Sequence, residues 1–139
     1  MHRMTIGLMA LLAVSAQAGE MGTITVLVTG IESERGTVLI QLANSAADYD
    51  RDDDAFRYAQ AKATGDRVTF TFENVPYGAY AITVFHDEND NRKIDIGWRG
   101  PTERYGFSNG ARGFMGPPSF SDAKLTLSAS RLPLEINLK

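Results

Sequence analysis

Val68-Thr69-Phe70-Thr71-Phe72-Glu73-Asn74-Val75-Pro76-Tyr77-Gly78-Ala79-Tyr80-Ala81-Ile82-Thr83-Val84-Phe85 is the stretch that decides the fold class. In both of its halves, apolar residues alternate with small or polar ones, the period-two pattern of a strand with one buried face. Between the halves, Pro76 fixes one backbone angle and Gly78 frees another, so the chain can turn sharply. Residues 68–72 and 80–85 therefore read as strands, the second with Tyr80, Ile82 and Val84 on one face.

The same pattern continues in both directions. Residues 23–28 are dense in β-branched side chains and end at Gly30, and residues 37–42 repeat the pattern after a Glu34-Arg35-Gly36 turn. So short a connection favours an antiparallel hairpin between them. Residues 44–54 lose apolar periodicity and gather Asp48, Asp50, Asp52, Asp53 and Asp54. Such a charge run reads as a solvated loop, with a second cation site as the alternative. The alanines of residues 56–62 permit a helix, yet Phe56, Tyr58 and Gln60 alternate with Arg57, Ala59 and Ala61. A strand paired with residues 68–72 through Thr64-Gly65-Asp66 explains both halves. Residues 124–127 and 132–138 supply two more strands, with Pro133 confined to a strand start or an edge. Seven short strands without a strong helix indicate an all-β chain, a seven-stranded antiparallel β-sandwich. With no cysteine and no strand tryptophan, it is not of the antibody type.

Residues 1–18 stand apart. His2 and Arg3 are followed by an apolar run over residues 6–14 and by Ala16-Gln17-Ala18, the layout of a secretory signal peptide with its cleavage site. Residues 19–139 then form a single domain, large enough to bury a core without staples. Removing Arg3 makes that domain more acidic than the full chain, whose formal net charge is −3. An acidic domain lacks the basic field that nucleic acids and anionic lipid attract. Zero cysteines exclude thiol catalysis, thiolate metal sites and a lipid-anchored cysteine. The expected destination is the bacterial periplasm or the medium, with no membrane span in the mature chain.

After Phe85 the apolar pattern ends abruptly in His86-Asp87-Glu88-Asn89-Asp90-Asn91-Arg92-Lys93-Ile94-Asp95. Counted from Asp87, this loop places Asn89, Asn91, Lys93 (through its carbonyl) and Asp95 at the spacing of calcium-loop ligands. Arg92 stands where that loop wants glycine, and Trp98 where it wants a bidentate glutamate, a place that only Glu103 or Asp122 folding back would fill. Two readings stay open: a Ca²⁺ site built from Asp87, Asn89, Asn91, Lys93 and Asp95, or an Asx turn bonded to its own backbone. A transition metal is disfavoured, because His86 is the only histidine after residue 18.

Two resemblances follow from these residues. Phe72-Glu73-Asn74-Val75-Pro76-Tyr77-Gly78-Ala79-Tyr80 resembles the F-x-x-[LV]-P-x-G-x-Y turn of prealbumin-like (Ig-like) sandwiches, including carboxypeptidase regulatory-type repeats. The ordered set FHDENDNRKID, GPTERYGFSN and GPPSFSDAKL resembles the secreted bacterial family filed as domain of unknown function 2141, over residues 22–139. The resemblance implies an exported prealbumin-like sandwich and supplies no activity, substrate or catalytic residue. The family loop usually reads H-D-x-N-G-N-G-K-x-D; here Asp90 and Arg92 occupy the two glycine places.

Residues 98–120 form one long aromatic- and glycine-rich loop carrying Trp98, Tyr105, Phe107, Phe114 and Phe120. Long connections in compact domains are usually functional or disordered, and this aromatic density argues against disorder. The aromatics either fold beneath the loop as a satellite core or present a binding surface to a protein or a carbohydrate. His86 next to Asp87 invites acid–base chemistry, with Glu103 as a third group, but consecutive strand residues point to opposite faces. Ser108, Ser119 and Ser121 lack a nucleophile-elbow setting. The expectation is a non-enzymatic exported binding module; a carbohydrate-binding module and a small hydrolase using His86, Asp87 and Glu103 are the alternatives.

Overall fold

The computed structural model describes residues 19–50, 55–90, 96–97, 100–101, 103–113 and 116–139. The proposed signal peptide therefore lies outside the described residues. Strands β1 (Met21–Thr29), β2 (Thr37–Ala43), β3 (Arg57–Lys62), β4 (Arg67–Pro76) and β5 (Gly78–Asp87) come first. Short ladders β6 (Ile96–Gly97), β7 (Gly100–Pro101) and β8 (Tyr105–Phe107) follow, then β9 (Leu125–Leu127) and β10 (Arg131–Asn137). Two single-turn helices, α1 (Ala46–Tyr49) and α2 (Phe120–Ala123), interrupt them.

The chain is all-β; eight of the described strands divide between two sheets, and β6 pairs with β7 in a separate two-stranded ladder. One is three-stranded in the order β10-β1-β4; the other is five-stranded in the order β3-β2-β5-β8, with β9 also paired to β5. Alternation fixes the inward faces. Ile24, Val26 and Val28 of β1 and Phe70 and Phe72 of β4 meet Val38, Ile40 and Leu42 of β2 and Tyr80, Ile82 and Val84 of β5 in one buried core. Each such aliphatic side chain contributes about 1.5–3 kcal/mol by leaving water.

Three expectations are corrected. β1 runs parallel to β10, so the sandwich is not wholly antiparallel. The two hairpins do not form: β1 pairs with β4 while β2 pairs with β3 and β5. Both short connections instead cross between sheets and bond to each other, Ile31 N–H to the Asp66 carbonyl at 3.3 Å and Ala63 N–H to the Gly36 carbonyl at 3.1 Å. An amphipathic strand buries its apolar face equally well in either sheet, so proximity in sequence misled. Finally, the two packed sheets hold eight strands rather than seven. The additional one, β8, lies in the stretch read as lacking strand pattern.

The Phe72–Tyr80 motif is also more than a turn. Between Phe72 and Val75, β4 carries one residue more than β1 opposite, and Asn74 takes a left-handed φ of 54°. This bulge restores the parity, so Val75 faces the core as Phe72 does. Arg57 donates from Nη1 to the Glu73 carbonyl (2.9 Å) and from Nη2 to the Asn74 carbonyl (2.8 Å). Tyr80 donates its hydroxyl back to the Pro76 carbonyl, pinning the crossover.

Candidate functional site

The end of β5 is held from four directions. Ser33 donates to the Glu88 carboxylate at 2.7 Å, and Thr37 donates to Asp90 Oδ1 at 2.7 Å. Glu103 Oε2 accepts the Glu88 backbone N–H at 2.9 Å, and His86 N–H donates to the Arg104 carbonyl at 2.9 Å. Gly36, at φ +74°, leaves no room for a side chain: a Cβ there would run into the Asp87 carbonyl and the Glu88 backbone. Arg104 then ties this region to the last strand. Its Nη1 donates to the carbonyls of Gly30 (2.9 Å) and Leu138 (3.3 Å), and its Nη2 lies 3.0 Å from the Glu32 carboxylate. Sequence reading missed Arg104, because no local pattern marks a long side chain that bridges strand ends.

Of the proposed ion ligands, Asp87 is buried, and Asp87 and Asn89 both have interaction partners within the chain. Asn91, Lys93 and Asp95 lie outside the described residues, as do Trp98 and Phe114 of the proposed binding surface. Asp90 occupies the first of the two places where the family loop carries glycine, and it takes a left-handed φ of 56°. An aspartate tolerates that conformation better than most residues, and its bond from Thr37 holds it there. Among the described residues, no three His, Asp or Glu side chains are grouped to hold a metal ion.

His86, Asp87 and Glu103 are all buried, at 1, 1 and 6% exposure. His86 Nε2 lies 2.6 Å from the Arg35 carbonyl. A carbonyl only accepts, so Nε2 carries a proton, and the other ring nitrogen is Nδ1. That atom is buried and has no hydrogen-bond partner among the described residues.

Tyr105, Phe107, Ala111, Phe120 and Ala123, all after β7, pack with Ala81 on the outer face of the five-stranded sheet. Phe107 is buried with Ala81 and Ala123, and Tyr49, Tyr105 and Phe120 are partly buried against them. Tyr105 and Phe107 meet edge to face at 5.6 Å, as do Tyr49 and Phe120 at 6.0 Å. Of the five aromatics assigned to a binding surface, Phe107 is buried in this satellite core, and Tyr105 and Phe120 pack against it while keeping part of their surface exposed. Ser108 welds that core to the sheet. Its Oγ accepts the Ile82 N–H at 2.8 Å and donates to the Ala123 carbonyl. β9 covers β5 at Gly78, Ala79 and Tyr80, and β8 covers it at Thr83, Val84 and Phe85. The Ser108 hydroxyl bridges the interval between those two ladders.

Of the acidic run, Asp48 forms a cap, while Asp52, Asp53 and Asp54 lie outside the described residues. Ser45 Oγ accepts the Asp48 N–H at 3.1 Å, and Asp48 Oδ2 accepts N–H groups from Asn44 (3.1 Å) and Phe56 (2.9 Å). Tyr49 donates its hydroxyl to the Pro118 carbonyl at 2.9 Å, so α1 holds the segment before α2. Burial raises the Tyr49 pKa above the ordinary tyrosine value; the Thr83 hydrogen bond opposes this, and the charges of Asp50 and Asp122 add to it.

A cleft of about 520 Å³ opens where the edges of the two sheets meet. β8 and residues 110–113 form one wall, and Glu135, Ile136, Asn137 and Lys139 form the other. Tyr105 and Lys139 exchange both backbone hydrogen bonds, at 3.2 and 3.0 Å, and so bridge the walls. Gly106 permits the close approach, since a Cβ there would strike Ile136 Cγ2.

Residues 26–134 match the model of a family described as "Uncharacterized protein conserved in bacteria (DUF2141)", and the chain belongs to that family. No curated protein and no solved structure matches it.

Proposed function

We propose that this chain is an exported, non-catalytic binding module of prealbumin-like form, delivered by its first 18 residues to the bacterial periplasm or the medium. The Asx-rich loop after β5 acts first as an anchor for the segment that follows. In this reading Asp87, Asn89, Asn91, Lys93 and Asp95 form a Ca²⁺ site that tightens the anchor, and the ligand, a protein or a carbohydrate, meets the surface built by the aromatic segment.

The carrying observation is a contrast in access. His86, Asp87 and Glu103 are buried, and the protonated nitrogen of His86 is committed to the Arg35 carbonyl. The open cleft, by contrast, is walled by Tyr105 and Gly106 of the aromatic segment. A general base must reach its substrate proton directly or through one water, which favours binding over the hydrolase alternative.

Thermal melting in excess EDTA and in millimolar Ca²⁺, on the mature domain and on Asp87→Ala, tests the anchor. Ca²⁺ should raise the melting temperature of the parent and leave the variant unchanged. An unchanged parent removes the ion from the account and leaves the plain turn.

A further inference from the structure

We propose that the cleft between β8 and β10 binds a small molecule carrying a carboxylate on a six-membered ring. Arg112 and Lys139 would recognise the carboxylate, and Tyr105 would serve as the platform for the ring. The inference rests on the binding reading above and assigns it a ligand class.

Four observations converge. The volume, about 520 Å³, lies in the range of small-molecule sites, about 300–1,000 Å³. The lining carries two cationic side chains, Arg112 and Lys139, against one carboxylate side chain, that of Glu135. Among the described residues neither cationic side chain has a hydrogen-bonding or ion-pair partner; the Thr29 hydroxyl donates to Asn137 Oδ1 at 3.0 Å, with Glu135 Oε2 farther off at 3.5 Å.

The third and fourth observations concern shape. Phe107 supports Tyr105 edge to face, and Tyr105 is only partly buried, so a stiff ring lines the wall with a face to offer. The bridge between Tyr105 and Lys139 fixes the backbone of both, which reduces the ordering cost of binding. An exposed arginine presents a planar fork that matches a carboxylate bidentately. A neutral ring would gain the stacking and forgo the charge.

Amide chemical shifts of the ¹⁵N-labelled mature domain test this, titrated with sodium galacturonate and sodium benzoate against galactose and benzyl alcohol at matched ionic strength. The expected result is saturable shifts of Tyr105, Gly106, Arg112, Gly113 and Asn137 with at least one acid. Affinity for its neutral partner should be weaker by about tenfold, the scale of one charge-assisted hydrogen bond. Arg112→Gln should lose the same factor while its other amides keep their positions. Equal binding of acid and neutral partner overturns the carboxylate assignment and leaves a binding module. Shifts centred away from the cleft overturn both. No saturable shift with either acid overturns the ligand class.

Discussion

Ser108→Ala should cost more than the loss of any other single hydroxyl among the described residues. Its hydroxyl is the only link described between the Ile82 N–H and the Ala123 carbonyl, and both of those residues are fully buried, at 0% exposure. Removing it strands one donor and one acceptor at once. A stranded buried group costs about 1–3 kcal/mol, and a carbonyl, with two lone pairs, falls toward the lower end. Together they give about 3 kcal/mol. That is a large share of the roughly 5–15 kcal/mol that holds a typical domain. Urea unfolding measures it directly. At a slope of about 1–3 kcal/mol per molar, the midpoint should fall by about 1–3 M with the slope unchanged. Ser121→Ala, at an exposed position of α2, is the control and should stay within about 0.5 kcal/mol. A Ser108→Ala loss no larger than that of the control would refute the claim that this hydroxyl completes the ladder along β5.

Two further outcomes follow from the same contacts. Gly36→Ala combines a left-handed backbone with a Cβ driven into Asp87 and Glu88, and should lose at least about 2 kcal/mol by urea unfolding; Gly65→Ala, with open space around it, should be near neutral. Because the folded state holds the Tyr49 and Tyr80 protons more tightly than the unfolded state does, stability should fall as pH rises past the ordinary tyrosine value of about 10. Urea midpoints across that range should fall less steeply for Tyr49→Phe than for the parent.

Strand identity was legible because burial here follows a period of two. Ile24, Val26 and Val28, or Tyr80, Ile82 and Val84, announce their inward faces in the sequence. Strand partnership was not. Nothing within residues 23–42 distinguishes a hairpin from a crossover, because the deciding contacts come from Asp66 and Ala63, far along the chain. β8 escaped notice because three residues, Tyr105, Gly106 and Phe107, are too few to show periodicity. At the loop, the carboxylates were visible as a cluster. Their anchors were not, since Ser33, Thr37 and Glu103 meet Glu88 and Asp90 only after folding. Ser108 carried no signal either. A serine becomes structural only when a ladder gap lies opposite it.

The most direct test of the binding account asks where any ligand lands. A fragment screen read through amide shifts of residues 19–139 should place its responses on residues 105–113 and 135–139, around the open cleft. Responses centred instead on Arg35, His86 and Glu88 would contradict the account and return the buried histidine to the centre of the chemistry.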